Sequence, residues 1–202
     1  MLLPKEKVKE IIADFLAKYS KELEYIMYPF NEIVCRQGEI KPKIYIVKEG
    51  VFKIGKVDTP ELTNTLGFCF ENDIRTPLGV FSSKPQTQIS LFELRSIENN
   101  LTQCNSMYEI TLEQWDAFAK KDKIFDELIL SSFLNNFNDG FVFMAMLRQN
   151  RKLKELFEQM YNAKHPILNS GISEKYIAEF FGTTPKSLKR LHIEAKYNSN
   201  KK

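Results

Sequence analysis

The chain has 202 residues, of which 43% are hydrophobic and 27% charged, and a formal net charge of +3. That length accommodates one large domain or a medium domain plus a small one, with the composition of a globular protein. The longest apolar run, FVFMAML at Phe141–Leu147, is far too short to span a bilayer, and the opening MLLPKEKVKEII has no uninterrupted apolar core, so neither a membrane segment nor a signal peptide is expected.

Pro4 to Ser20, PKEKVKEIIADFLAKYS, predicts a helix. Val8, Ile11, Ile12, Phe15, Leu16 and Tyr19 recur at i, i+3, i+4 and make one apolar face, and Pro4 suits the first turn. From about Glu24 to Thr111, short β-rich runs (IMYPF, EIVCRQGE, KIYIVKEG, VFKIGKV, QISLFEL, MYEIT) alternate with turn residues, the texture of an antiparallel sandwich or barrel. Gly38, Gly50 and Gly55 mark expected tight turns at positive φ.

After Glu113 the helical pattern returns. Leu130, Leu134, Phe137, Phe141 and Met144 are spaced 4, 3, 4, 3 and form a seam that keeps its phase across Asn135–Gly140, favouring one long helix over two joined by a turn. Such a seam packs within a chain or between two chains, and the spacing does not choose. Asn150 is a candidate cap for RKLKELFEQMY, where Leu153, Leu156, Phe157 and Met160 share a face, and His165-Pro166 ends that helix. Taken together, the elements give an α+β chain.

The last ordered pattern is SEKYIAEFFGTTPKSLKRL. Ser173 is a candidate cap for a short helix, and Gly182 terminates it in a left-handed conformation. Thr184 caps the next helix and Pro185 occupies its first position, giving helix, short turn, helix. Ala178 is small where two helices cross, and Ile177, Leu188 and Leu191 supply apolar contacts. Lys186, Ser187, Lys189 and Arg190 then face outward. Arginine forks onto a guanine edge and lysine binds phosphate or guanine, while the helix start beside Thr184 suits a backbone phosphate. The competing reading is a helical hairpin that merely closes a domain. The small residue, glycine, cap and cations together favour DNA. Charge distribution agrees: residues 148–202 hold 12 Lys/Arg against 5 Glu, leaving 17 Lys/Arg against 21 Asp/Glu in the first 147.

No arrangement of residues suggests catalysis. No histidine occurs before His165, which removes Ser-His-Asp and Cys-His sites from the β-rich body, and no phosphate-binding glycine motif is present. Glu71, Asp73, Glu93 and Glu98 read as solvated loop carboxylates. Cys35, Cys69 and Cys104 are dispersed and odd in number, which predicts free buried thiols in the cytoplasm and argues against an iron–sulfur sensor. His165 reads as a helix-end residue and His192 as a groove-side or surface residue, so no haem or metal site is expected.

Two stretches resemble the Crp/Fnr superfamily of bacterial transcription regulators. RQGEIKPKIYIVKEGVFKI, Arg36–Ile54, is similar to the opening of that family's cyclic-nucleotide-binding β-roll, a jelly roll, and SEKYIAEFFGTTPKSLKRL to its helix-turn-helix. The resemblance implies a β-roll with an N-terminal helix over residues 1–118, a dimerisation helix over 119–149 and a DNA-binding domain over 150–202. It implies a homodimer paired along the Leu130–Met144 seam, with double-stranded DNA as partner, and it extends to RNA polymerase and an unknown small-molecule effector. The family's base-reading positions fall on Pro185, Lys186 and Arg190, and Arg190 is the safest carry-over. The effector pocket falls by position on Arg75, Thr76, Pro77, Thr87 and Gln88. Pro77 replaces the glutamate that accepts from the ribose hydroxyl, and Thr87 stands near the place of the arginine that holds the cyclic phosphate, so weak or no binding of cyclic AMP is expected. Should the helix pair not bind DNA, the chain would instead be a β-roll ligand or protein-interaction module.

Overall fold

The computed structural model describes residues 3–40, 43–59, 62–75, 90, 92–100, 102–125, 127–132 and 153–199. Its order follows from which face each strand and helix must bury. Helix α1, Lys5–Tyr19, begins directly after Pro4 and buries Val8, Ile12, Phe15, Leu16 and Tyr19. Eight strands follow: β1 Glu24–Tyr28, β2 Ile33–Cys35, β3 Lys43–Glu49, β4 Phe52–Thr59, β5 Leu62–Cys69, β6 Ile74–Arg75, β7 Glu93–Ser96 and β8 Asn105–Thr111. They form two antiparallel sheets, ordered β1-β8-β3-β6 and β2-β7-β4-β5.

Strand β3 shows how the layers stack. Its alternating residues point to opposite faces. Ile44 and Ile46 join α1, Trp115, Phe118 and Leu128 in one apolar cluster, while Tyr45 and Val47 meet Phe52, Cys69 and Leu94 between the sheets. The second sheet repeats the device: Phe52 and Cys69 point inward, whereas Phe68 points out to Phe157, Phe180 and Leu188 of the C-terminal helices. The sequence of layers is therefore helices, sheet, sheet, helices.

Helix α2, Leu112–Lys121, starts on a reciprocal cap in which Thr111 Oγ1 accepts from the Gln114 N–H and the Gln114 side chain accepts from the Thr111 N–H. Asp122 is extended and interrupts the helical run, and helical residues 127–132 (α3) resume it. Ser132 Oγ donates to the Ile74 carbonyl at 3.1 Å, fastening α3 to the first sheet. Helices α4 (Leu153–Asn162), α5 (Pro166–Asn169), α6 (Glu174–Phe180) and α7 (Pro185–Ser199) complete the chain.

Gly38 and Gly50 turn at φ +82° and +85°, as expected, but Gly55 does not. It lies inside β4, where the pairing with β5 slips between Ile54 and Gly55, so it accommodates a bulge instead of a turn. At Gly50 the need is steric as well. A Cβ there would lie 1.8 Å from Asn105 Oδ1, and that buried amide accepts from the Val51 N–H and donates to the Val51 and Ile97 carbonyls.

Candidate nucleic-acid interface

The turn between α6 and α7 is fixed by the backbone. Gly182 sits at φ +61°, its N–H donates to the Glu179 carbonyl at 3.0 Å, and the Thr183 N–H reaches the Ala178 carbonyl at 2.9 Å. This pair of bonds is a Schellman ending, in which a left-handed residue satisfies carbonyls the helix leaves open. Thr184 Oγ1 then accepts from the Ser187 N–H at 3.2 Å, capping α7 with Pro185 as its first residue. Ser173 occupies the cap position of α6 but makes no side-chain capping bond. Ile177, Ala178 and Leu188 are buried where the helices meet, and Leu191 packs at their margin.

Burying Leu188 and Ala195 determines what α7 shows to solvent. Thr184, Lys186, Ser187, Lys189 and Arg190 are all exposed. The Arg190 side chain is 81% exposed, and its Nε donates to Glu194 Oε1 at 2.9 Å. Lys154 of α4 reaches the other Glu194 oxygen at 2.8 Å. The hydrogen bond from Lys154, then that from Arg190, holds the Glu194 carboxyl below the usual range. Lys189 lies 3.5 Å from Glu174.

His192 is half-buried and not a surface residue. Its ring stands edge-on to Phe157 at 4.8 Å, one turn beyond Leu188 on the packed side of α7. Burial pushes its pKa down, against a weaker upward pull from Glu174. His165 caps α5, its Nδ1 accepting from the Ile167 N–H at 3.3 Å, in keeping with a helix-end role.

The opposite side of the pair is fastened to the second sheet. Phe180 packs on Phe68 at 5.6 Å between ring centroids, and the Tyr176 hydroxyl donates to Asn31 Oδ1 at 2.9 Å. Ile172 forms an antiparallel bridge with Asn99, and the Asn100 N–H donates to the Gly171 carbonyl at 3.0 Å. Lys53 is only 5% exposed. Its ammonium lies 3.5 Å from Glu179 and 5.2 Å from the centre of the Tyr176 ring.

Of the positions assigned to an effector pocket, Arg75 is described, and Thr76, Pro77, Thr87 and Gln88 lie outside the described residues. Arg75 is engaged within the roll: Nε donates to Cys69 Sγ at 3.1 Å, one terminal nitrogen donates to the Phe68 carbonyl at 3.4 Å, and Asp73 lies 3.8 Å away. Asp73 and Glu93 are buried and paired, not solvated as loop carboxylates: Asp73 accepts from the Phe70 N–H at 2.9 Å, and Glu93 bonds Arg95 at 2.8 Å. Cys35 and Cys69 are free and buried, whereas Cys104 is free and half-buried. In the seam Leu130 is 51% exposed, and Leu134, Phe137, Phe141 and Met144 lie outside the described residues, as do Asn138–Gly140. Among the described residues, no three His, Cys, Asp or Glu gather to hold a metal ion, and no helix is long and apolar enough to cross a membrane.

No family model matches the chain, and no curated protein matches its sequence. Solved structures do. FixK2 from Bradyrhizobium japonicum superposes with a TM-score of 0.67 at 13% identity, covering 88% of this chain and 86% of that one. The c-di-GMP-responsive global regulator CLP of Xanthomonas campestris matches with a TM-score of 0.64 at 13% identity over 93% of both chains. A CooA mutant from Carboxydothermus hydrogenoformans matches with a TM-score of 0.69 at 13% identity, covering 92% and 84%. The chain has the fold of the Crp/Fnr regulators.

Within this Crp/Fnr fold, three features escaped the sequence reading. The Lys53–Glu179 pair joins residues 126 apart, and no local pattern announces it. His192 had a signal: Leu188, Leu191, His192 and Ala195 are spaced i, i+3, i+4, i+7, which assigns His192 to the buried side. The same spacing leaves Ile193 and Tyr197 outside, where they are exposed.

Proposed function

We propose that the chain is a sequence-specific DNA-binding transcription regulator of the Crp/Fnr type, acting as a cytoplasmic homodimer and not as an enzyme. The observation that carries this reading is the geometry of α7. A glycine-set turn and a threonine cap hold the helix against α6 so that Lys186, Lys189 and Arg190 face outward together. Arg190 and Lys186 read base edges in the major groove, Lys189 and Ser187 hold phosphates, and the α7 N-terminus beside Thr184 receives a further phosphate. Residues 1–118 form the roll, 119–149 pair the protomers along Leu130, Leu134, Phe137, Phe141 and Met144, and 150–202 bind DNA. RNA polymerase is the further macromolecular partner of such a regulator.

The effector pocket is degenerate in this proposal. Pro77 offers no carboxylate to a ribose, and Arg75 is occupied by Cys69, Phe68 and Asp73. Any effector is a small molecule other than cyclic AMP. Calorimetric titration with cyclic AMP is expected to give no resolvable heat, and micromolar affinity contradicts this part of the proposal. The main test is selection of bound sites from a random DNA library. A roughly palindromic consensus supports the regulator, and failure to enrich any sequence supports a ligand or protein-interaction module instead.

A further inference from the structure

The outward face of α7 continues past Arg190. With 100° per residue, Lys186, Arg190, Ile193 and Tyr197 fall within an arc of about 60° along a stripe about 16 Å long. Ile193 is 70% exposed, the highest value among the exposed large hydrophobic side chains of the described residues, and Tyr197 is 61% exposed. A single exposed isoleucine is ordinarily unremarkable. This one is set in line with two cations, one turn beyond Arg190, on the face opposite Leu188 and Ala195. A stripe that combines cations with a β-branched apolar group matches a surface that is both anionic and locally apolar.

The major groove has one such feature on its base edges. Thymine alone carries a C5-methyl group there, beside the acceptors and donors that Arg and Lys read. We propose that Ile193 is a specificity-determining residue that packs on a thymine methyl. Three residues of helix separate it from Arg190, a rise of about 4.5 Å against a base-pair step of about 3.4 Å. The thymine therefore lies one or two steps from the guanine that Arg190 reads. This inference rests on the regulator reading and adds a base preference to it that charge alone does not supply.

The test uses the full chain and a duplex selected by the wild-type protein from a random library. Each thymine is replaced in turn by deoxyuridine, which removes the methyl group and leaves the hydrogen-bonding edge unchanged. Removing one buried methyl weakens binding about three- to fivefold, so one or two positions per half-site are expected to show that loss. Ile193→Ala is expected to bind thymine and deoxyuridine duplexes equally, whereas Ile193→Val, which keeps both β-carbon branches, preserves the difference. Circular dichroism melting reports folding, and both variants alter an exposed helix position. Wild-type indifference to deoxyuridine at every position, or discrimination retained by Ile193→Ala, overturns the inference and leaves the regulator reading standing. A shift of Ile193→Ala in sedimentation would show that the residue contacts a second copy of the chain and equally overturns it. A wild-type protein that binds no duplex overturns both readings together.

Discussion

Cations on the two sides of the α6–α7 helix pair stand in opposite circumstances. On the side toward the second sheet, Lys53 is buried between Glu179 and the Tyr176 ring, so its charge is consumed within the fold. On the far side, Arg190 and Lys189 extend into solvent, paired with Glu194 and Glu174 of the same helix pair. Such exposed pairs add little to stability in water, so exchanging them for phosphate or guanine costs little. The lesson is that sequence position alone does not separate a structural cation from an available one; burial does.

The largest effect is expected from removing what holds both faces. Leu188 is fully buried between the helices. Leu188→Ala is expected to destabilise the chain by about 2–5 kcal/mol, read as a lower denaturant midpoint, with DNA binding lost in parallel. The outer face is probed alone by Arg190→Ala. It should cost about 1–3 kcal/mol on the selected duplex and relax preference at one base pair, while Lys189→Ala weakens all duplexes alike. Neither change should move the melting temperature.

The inner face is probed by Glu179→Ala, which leaves the Lys53 ammonium buried without its carboxylate. Because Glu179 is itself partly exposed, the expected loss is about 1–2 kcal/mol, smaller than for a fully buried pair. Lys53→Met should be close to neutral in stability, since an apolar side chain of similar length removes the desolvation penalty together with the pair. The smallest effect is a pH slope from His192. Its folded pKa lies below its ordinary value of 6.5, so the unfolded chain takes up the proton first. The contribution is therefore full above pH 6.5 and declines as pH falls through and below that value. Denaturant midpoints measured against pH should decline less for His192→Phe than for the wild type.

Much of the fold was legible where the apolar signal is dense. The α1 face from Val8 to Tyr19 shows one buried stripe, and the β3 run KIYIVKE, buried on both faces from Ile44 to Val47, stands out as a continuous apolar stretch. Strand β5 did not: LTNTLGFC lies at a sheet edge, and its threonines, Asn64 and Gly67 dilute the apolar signal. In the candidate site, Gly182, Thr184 and Leu188 could be read because turns and caps are local chemistry. The docking of α6 on the second sheet could not, since Phe68–Phe180 and Lys53–Glu179 depend on how distant segments fold together.

The central claim is that the outer face of α7 meets duplex DNA. Fluorescence anisotropy of a labelled random duplex, titrated with the full chain across a salt series, tests it most directly. The account predicts binding at low salt that weakens with a log–log slope of about −5, the value that would follow if Lys186, Lys189 and Arg190 of two protomers each neutralised one phosphate of the random duplex. A chain that leaves the duplex free at the lowest salt contradicts it.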